Sequence, residues 1–341
     1  MTAPMTGTPE LPAPVASLAA RFLADAAAVD AADTVPEEHL RGLANAGLYG
    51  IFAPAEAGGL GLGPEVPLVI EELASACLAS TFVWLQHLRL LGAMLDPGTP
   101  AALREALLPA VVSGKVRGGV ALAGLLPGPP RLTARPVDGG WLLDGEAPWV
   151  SGWGIVDLLV VVGRGPQDTA VTLLMDAREQ HGLAAARQRL AAANASATVQ
   201  LSFEGVFVPD GRLVSQAPYD PVAAQSEGLR GNGSLALGVG RRCCALIGPS
   251  PLDDELDACR ADLDAADTAA VPAARARASE FAARAAHYLA VRRGSRSALA
   301  GDDADRLARE AGFLLVFGSR PAIKDELLGR LAGTGSLRTP A

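Results

Sequence analysis

Apolar residues recur at helical spacing over the first third of the chain. Pro36, followed by two glutamates, opens a helix, because proline suits a first helical turn and acidic residues complement the helix dipole. Gly47 ends this helix, and a Gly/Pro-rich loop then leads to a long apolar helix that includes residues 69–78. We therefore predict a disordered Pro/Thr-rich segment at residues 1–14 and an α-helical domain at residues 15–115.

The pattern changes at about Arg117, where short runs of β-branched and apolar residues replace the helical spacing. Turn residues such as Asp138-Gly139-Gly140 separate these runs. The predicted strands are 119–123, 131–135, 141–144, 157–162, 170–175 and 197–208. Short strands with tight turns predict a small β-barrel or sandwich, which we place at residues 116–215.

Helical spacing returns after Pro209, and we place a C-terminal helical domain at residues 216–335. Its apolar stripes are Leu252, Leu256, Cys259 and Leu263, then Phe281, Ala285, Tyr288 and Leu289, then Leu307, Ala311, Leu314 and Leu315. The order predicts an α+β multidomain fold: an N-terminal α-helical domain, a central β-barrel or sandwich domain and a C-terminal α-helical bundle.

Composition excludes several classes of protein. Half of the 341 residues are hydrophobic and 19% are charged, which excludes a disordered chain. The net charge of -8 argues against nucleic-acid binding, since phosphate binding needs a basic surface. No apolar run is long enough to span a bilayer, and the N-terminus lacks the basic start of a signal peptide. The cysteines have no metal-ligand spacing, so we predict no metal and a reduced, cytoplasmic location.

The stretch from Gly139 to Trp153 carries the most informative side chains. It predicts a strand, a tight turn and a second strand that displays Trp149 and Ser151 on one face. An indole beside a hydroxyl suits a flat heteroaromatic ligand, because the ring covers the ligand's face while the hydroxyl bonds its edge. The alternative is a strand whose tryptophans pack into a β core.

Several strings in this order resemble the acyl-CoA dehydrogenase superfamily of flavoproteins. They are Pro36-Glu-Glu-His-Leu, Gly58-Gly-Leu-Gly-Leu62, Glu71-Glu72-Leu-Ala, Leu132-Thr-Ala-Arg, Trp149-Val-Ser151, Phe203-Glu-Gly-Val-Phe-Val-Pro209 and Leu235-Ala-Leu-Gly-Val-Gly240. The resemblance covers about residues 15–248, and the C-terminal part is divergent and shortened.

The resemblance implies FAD as the cofactor. In the family, the residues that match Trp149 and Ser151 flank the flavin, and Val150 lies between them. A polar Thr-Glu-Pro-type loop usually holds the flavin edge and pyrophosphate. This chain has Leu122, Ala123 and Gly124 there, so only their main-chain groups are expected to bind the cofactor. The family's Arg-x-x-Phe-Gly string, which binds FAD from a neighbouring subunit, is replaced by residues 249–254.

Dehydrogenation beside a thioester also needs a carboxylate that removes the α-proton. The family places this glutamate either late in the C-terminal domain or on the first helix after the β domain. The late motif is absent, and the early position falls near Gly231-Asn232. Glu227, about one turn earlier, is the nearby candidate; the alternative is a surface glutamate at a helix start.

These features predict a FAD-dependent, acyl-CoA dehydrogenase-like oxidoreductase that acts on CH–CH groups of a small-molecule acyl thioester. The resemblance also implies a homodimer or homotetramer packed through the last bundle, and an electron-acceptor flavoprotein as a possible partner. Two alternatives stay open. One is a flavin-dependent monooxygenase on the same fold, and the other is a catalytically degenerate homologue that acts as an assembly subunit.

Overall fold

The computed structural model describes residues 11–226 and 228–333. The N-terminal helices are α1 (Ala13–Asp30), α2 (Glu37–Asn45), α3 (Val66–Ala76), α4 (Leu78–Leu95) and α5 (Ala101–Val112). Most of the predicted disordered segment lies outside the described residues. The predicted end of that segment, at residue 14, is nevertheless wrong, because α1 already begins at Ala13. Pro14 lies in its first turn, where a missing N–H costs no hydrogen bond.

The middle of the chain forms one mixed sheet of eight strands in the described residues. The strands are β1 (Gly118–Ala121), β2 (Leu132–Val137), β3 (Gly140–Val150), β4 (Leu158–Gly165), β5 (Thr169–Asp176), β6 (Leu183–Arg187), β7 (Val199–Pro209) and β8 (Leu213–Pro218). They run in the order β6-β7-β3-β2-β4-β5-β8, and β1 pairs in parallel with β4. The central β domain is therefore confirmed.

Two strands and one turn differ from the sequence prediction. β6 and β8 were not predicted, because β6 is a short alanine-rich edge strand and β8 is a mostly exposed strand at the other edge of the sheet. The tight turn within residues 139–153 is wrong: the turn lies at Asp138-Gly139, and β3 then continues unbroken to Val150. Gly145 has a φ of +124°, and next to it the pairing with β7 shifts by one extra residue on β7 and then continues.

The chain then returns to helices, namely α6 (Pro221–Ser226), α7 (Leu229–Ile247), α8 (Pro251–Ala265), α9 (Val271–Arg293), α10 (Asp303–Val316) and α11 (Pro321–Leu331). The segment that replaces the family's Arg-x-x-Phe-Gly string forms the start of α8, where the backbone N–H of Ser250 donates to the Asp253 carboxylate. The predicted order of helical, β and helical parts is thus confirmed.

The two helical parts share one hydrophobic core, formed by residues of α1–α4 and α7–α10. Gly238 lets α7 approach α3 closely, because an added Cβ would lie 2.6 Å from the Glu71 carbonyl oxygen. A second core consists mainly of buried side chains from β2, β3, β4, β5 and β7. A third joins α4 and α5 to the other face of β4 and β5. Among residues 11–226 and 228–333, the helices are all too short or too polar to cross a bilayer.

Candidate functional site

Trp149 and Ser151 lie in different environments at the end of β3. The Trp149 side chain is 66% exposed, although indole is among the largest apolar groups of the chain. Ser151 is buried just beyond the strand, and its Oγ lies 2.8 Å from Thr198 Oγ1. The end of β3 therefore exposes an aromatic ring to solvent close to a buried hydroxyl. Val150, between them, is buried in the sheet core.

The Ser151 hydroxyl is the last member of a short chain of hydroxyl groups. Thr198 Oγ1 also lies 2.8 Å from Ser196 Oγ. If Ser196 donates to Thr198 and Thr198 donates to Ser151, the Ser151 O–H remains available for a ligand, since each hydroxyl donates only once. The backbone N–H of Gly152 donates to the Ser196 carbonyl at 2.7 Å, which ties the end of β3 to this loop.

Leu122, Ala123 and Gly124 follow β1 directly, and a 3-10 turn runs from Ala123 to Leu125. Ala123 and Gly124 are buried. Gly124 packs so closely on β4 that an added Cβ would lie 2.5 Å from the Val162 carbonyl oxygen. The loop carries no polar side chain, so any bond that it makes to a ligand would come from its main chain.

Arg164, on β4, holds this loop in place. Its Nε and Nη2 donate to the Gly124 carbonyl at 3.1 and 2.8 Å, and its Nη1 donates to Asp168 at 2.6 Å. The guanidinium also lies over the Tyr219 ring, 3.4 Å from the ring centroid. Sequence reasoning missed this residue, although an arginine at the end of the apolar run 158–165 was a signal for a buried, fully bonded cation.

The first turns of α7 contain no carboxylate. Gly231 and Asn232 occupy the position expected for the family's early glutamate, and no Asp or Glu occurs between Leu229 and Ile247. Glu227 lies outside the described residues. The site as described therefore offers ring-covering, hydrogen-bonding and main-chain groups but no general base on α7.

Other ionisable residues of the helical part are structural. His87 is buried between the Tyr49 carbonyl and the Gly118 N–H. Glu71 is buried and accepts hydrogen bonds from both Nε and Nη2 of Arg260 on α8, at 3.0 and 2.6 Å. All the cysteines are free and buried. Within the described ranges, no group of three or more His, Cys, Asp or Glu side chains is placed to hold a metal ion.

Comparison with known proteins agrees with this architecture. Residues 10–115 match the family model described as "Acyl-CoA dehydrogenase, N-terminal domain". The benzylmalonyl-CoA dehydrogenase of Aromatoleum aromaticum is 27% identical over 236 residues, which are 65% of this chain and 61% of that protein. The mitochondrial isovaleryl-CoA dehydrogenase of Arabidopsis thaliana is 29% identical over 50% of this chain and 44% of its own length. Residues 10–115 thus carry the N-terminal domain of the acyl-CoA dehydrogenases, and the chain as a whole is similar to that superfamily.

The matches thus span about half of these relatives' length, whereas solved structures of the superfamily fold match almost end to end. A glutaryl-CoA dehydrogenase in complex with glutaryl-CoA has a TM-score of 0.74 at 18% identity, and covers 98% of this chain and 99% of its own. The FMN-bound TdsC of Paenibacillus sp. A11-2, a dibenzothiophene monooxygenase, has a TM-score of 0.77 at 18% identity, with 96% and 97% covered. At these identities the likeness shows the fold.

Proposed function

We propose that this protein, as a member of the acyl-CoA dehydrogenase superfamily, binds FAD at the end of β3 and oxidises an acyl thioester. The observation that carries the proposal is the exposed Trp149 beside the buried Ser151 hydroxyl. A bare indole on a rigid strand is an unfavourable surface in water and a favourable cover for a flat ring. The named relatives are acyl-CoA dehydrogenases, so the fold accommodates this chemistry.

Each element of the site has a separate task in this proposal. Trp149 covers one face of the ring, and Ser151 hydrogen-bonds its edge through the hydroxyl chain. The main-chain groups of Leu122, Ala123 and Gly124 bond the flavin from the loop that Arg164 fixes. The flavin, when bound, supplies the hydride acceptor at its N5 atom for α,β-dehydrogenation. The protein excludes water from the site and orients the thioester.

The α-proton needs a base in this reaction, and Glu227 stays our candidate. Its replacement by glutamine removes the charge and keeps the size, so the flavin of E227Q should be reduced far more slowly by an acyl-CoA than the wild-type flavin. An unchanged rate of reduction would exclude Glu227 as the base.

A specific observation favours a second candidate, because α7 carries no carboxylate. A flavin-dependent monooxygenase needs no such base, and TdsC provides an example with FMN on this fold. The remaining alternative is a non-catalytic assembly subunit. Flavin reduction by an acyl-CoA supports the dehydrogenase. Oxygen-dependent turnover with a reductase supports the monooxygenase. A protein that never retains flavin supports the subunit.

Flavin retention is the direct test. The purified protein is incubated with FAD, desalted and examined for visible flavin absorbance, and the released flavin is identified by chromatography as FAD or FMN. We expect Trp149→Ala to lose most of the retained flavin. Phe207→Ala is the matched control, because Phe207 is 50% exposed on the neighbouring strand β7 and pairs with Leu142, away from the end of β3. Equal retention in both variants would refute the assignment of Trp149.

The partners are part of the same proposal. We propose a homodimer or homotetramer packed through the C-terminal bundle, and a separate flavoprotein that accepts the electrons. Light scattering at several protein concentrations measures the oligomeric state. Reoxidation of the reduced protein by a purified electron-transferring flavoprotein, compared with reoxidation by oxygen, identifies the acceptor.

A further inference from the structure

Arg275, on α9, is a buried cation that the structure leaves partly unbonded. Its side chain is only 1% exposed. Nη2 donates to the Leu314 carbonyl at 3.0 Å and, at 3.5 Å, to the Phe317 carbonyl. Nε and Nη1 have no acceptor among the described residues. A buried guanidinium with two unused donors is costly unless another group binds it, so this residue requires an explanation.

The surroundings of Arg275 add positive rather than negative charge. Burial, and next the charge of Arg320, lower the pKa of Arg275 to about 10, and no described carboxylate opposes these effects. Arg320 precedes Pro321 at the start of α11, a helix end that has no side-chain cap. A helix start beside the unused donors of a buried guanidinium favours an anion at the same place.

Arg275 lies close to the proposed active site. Val271 and Ala276, on either side of it on α9, share a buried cluster with Leu229 of the first turn of α7. That turn contains the position of the family's early glutamate. The segment after α10 also reaches α7, since an added Cβ on Gly318 would lie 3.3 Å from the Asn232 amide nitrogen.

The segment between α10 and α11, whose Phe317 carbonyl accepts from Arg275, lies at the surface. Gly318 and Ser319 are exposed there, and Phe317 and Arg320 are half-buried. Arg320 also interacts electrostatically with Tyr219. The Tyr219 ring in turn lies under the guanidinium of Arg164, the residue that bonds the Gly124 loop. Arg275 is thus linked to the Gly124 loop through Arg320 and Tyr219, and its neighbours on α9 pack with the first turn of α7.

We propose that Arg275 binds a carboxylate at the acyl end of the substrate, so that the protein selects acyl thioesters that carry a second acid group. This inference rests on the proposed function, because it assigns the acyl pocket of that site. Carboxylate is the anion that a thioester's acyl chain can carry into a buried place and that Arg275's unused donors match. Malonyl- and glutaryl-type thioesters, which two of the compared proteins are named for, carry such a group.

The test compares thioesters that differ in the acid group alone. Binding of malonyl-CoA and propionyl-CoA, succinyl-CoA and butyryl-CoA, and glutaryl-CoA and valeryl-CoA is measured by calorimetry, with and without added FAD. In at least one pair the acid should bind about 10- to 100-fold more tightly, as charge-assisted hydrogen bonds to a buried arginine imply. The Arg275→Met variant should lose this preference, and Arg275→Lys should keep part of it.

Arg292→Met is the matched control, because Arg292 is exposed near the end of the same helix. It should keep the wild-type preference. Arg275→Met should also unfold at the same or a higher temperature without ligand. It removes an unneutralised buried charge, and the Leu314 carbonyl keeps the hydroxyl of Ser279 as a donor.

The proposal would be overturned if no acid thioester bound more tightly than its methyl counterpart, or if Arg275→Met kept that preference. It would also be overturned if Arg275→Met unfolded at a lower temperature than the wild type, because this would indicate a counter-ion within the protein. Failure of the proposed function is a different result. A protein that retains no flavin but prefers acid thioesters in calorimetry would refute the oxidoreductase and keep the carboxylate site.

Discussion

His87 makes the folded protein sensitive to mild acid. The imidazole is 1% exposed in the core of α4. Its Nδ1 accepts from the Gly118 N–H at 3.0 Å, so its Nε2 carries the proton and donates to the Tyr49 carbonyl at 3.1 Å. Protonation at Nδ1 would break the bond to the first residue of β1, the strand that leads to the Leu122–Gly124 loop. Desolvation by burial, with Arg117 nearby, lowers the pKa of His87 to about 4.

The sign and size of the effect follow from this pKa. Above pH of about 6.5 His87 is neutral in both states and proton binding contributes nothing. As the pH falls below that value, His87 binds a proton in the unfolded state but not in the folded state, so the free energy of unfolding decreases until the pH reaches about 4. The full loss is about 3 kcal/mol, and about 2 kcal/mol of it should have occurred by pH of about 5.

Urea unfolding followed by circular dichroism, at pH values between about 7 and 5, measures this loss. The His87→Gln variant keeps a donor and an acceptor but does not titrate, so its free energy of unfolding should fall by about 2 kcal/mol less than that of the wild type. His181→Gln, at an exposed position between β5 and β6, controls for the loss of a histidine. Parallel pH profiles of wild type and His87→Gln would refute the reasoning.

Two further substitutions test the buried bonds made by Glu71 and by Arg164. Glu71→Gln leaves the Arg260 guanidinium without its buried carboxylate and should lower the free energy of unfolding, measured in urea, by about 3 kcal/mol. The control Glu72→Gln, whose partner Arg241 is more exposed, should lower it by about 1 kcal/mol or less. Equal losses would contradict the role of burial. Arg164→Met leaves the Gly124 carbonyl without a donor, so it should lower the free energy of unfolding by about 1–3 kcal/mol and increase flavin loss on desalting. Substitution of the exposed Arg178 by methionine should do neither. Unchanged flavin retention in Arg164→Met would show that the loop does not depend on this bond.

Local patterns were sufficient for the order of the parts. Helical spacing along α8, where Leu256, Cys259 and Leu263 are buried, needs only the neighbouring residues to be recognised. Gly145 shows where this method fails. A glycine between two apolar runs is typical of a turn, yet pairing with β7 on both sides of Gly145 keeps β3 continuous. That pairing is a long-range interaction, and a local pattern does not contain it.

The site was predictable only where chemistry is visible in neighbouring residues. Trp149 and Ser151 stand close together in the sequence, so the family resemblance could assign them. Arg164 and Tyr219 are far apart in the chain and meet only when β4 and the segment after β8 come together. Arg275 is more hidden still, because an arginine on an alanine-rich helix normally reaches solvent. Its burial depends on how α10 and α11 close over α9.

The absent carboxylate on α7 and the buried Arg275 are physically related. Leu229, at the start of α7, packs with neighbours of Arg275 on α9. A side chain at Gly231 would face Leu85 and Ile70, but a glutamate at position 232 would lie beside Gly318, next to the carbonyl that Arg275 bonds. An opposite charge within about 4–6 Å lowers a carboxyl pKa by roughly 1–3 units. Such a glutamate would be a weak base and would occupy the donors that we assign to the substrate. A chain that binds an acid group at Arg275 therefore has to take its base from outside this turn, and Glu227 stays our candidate.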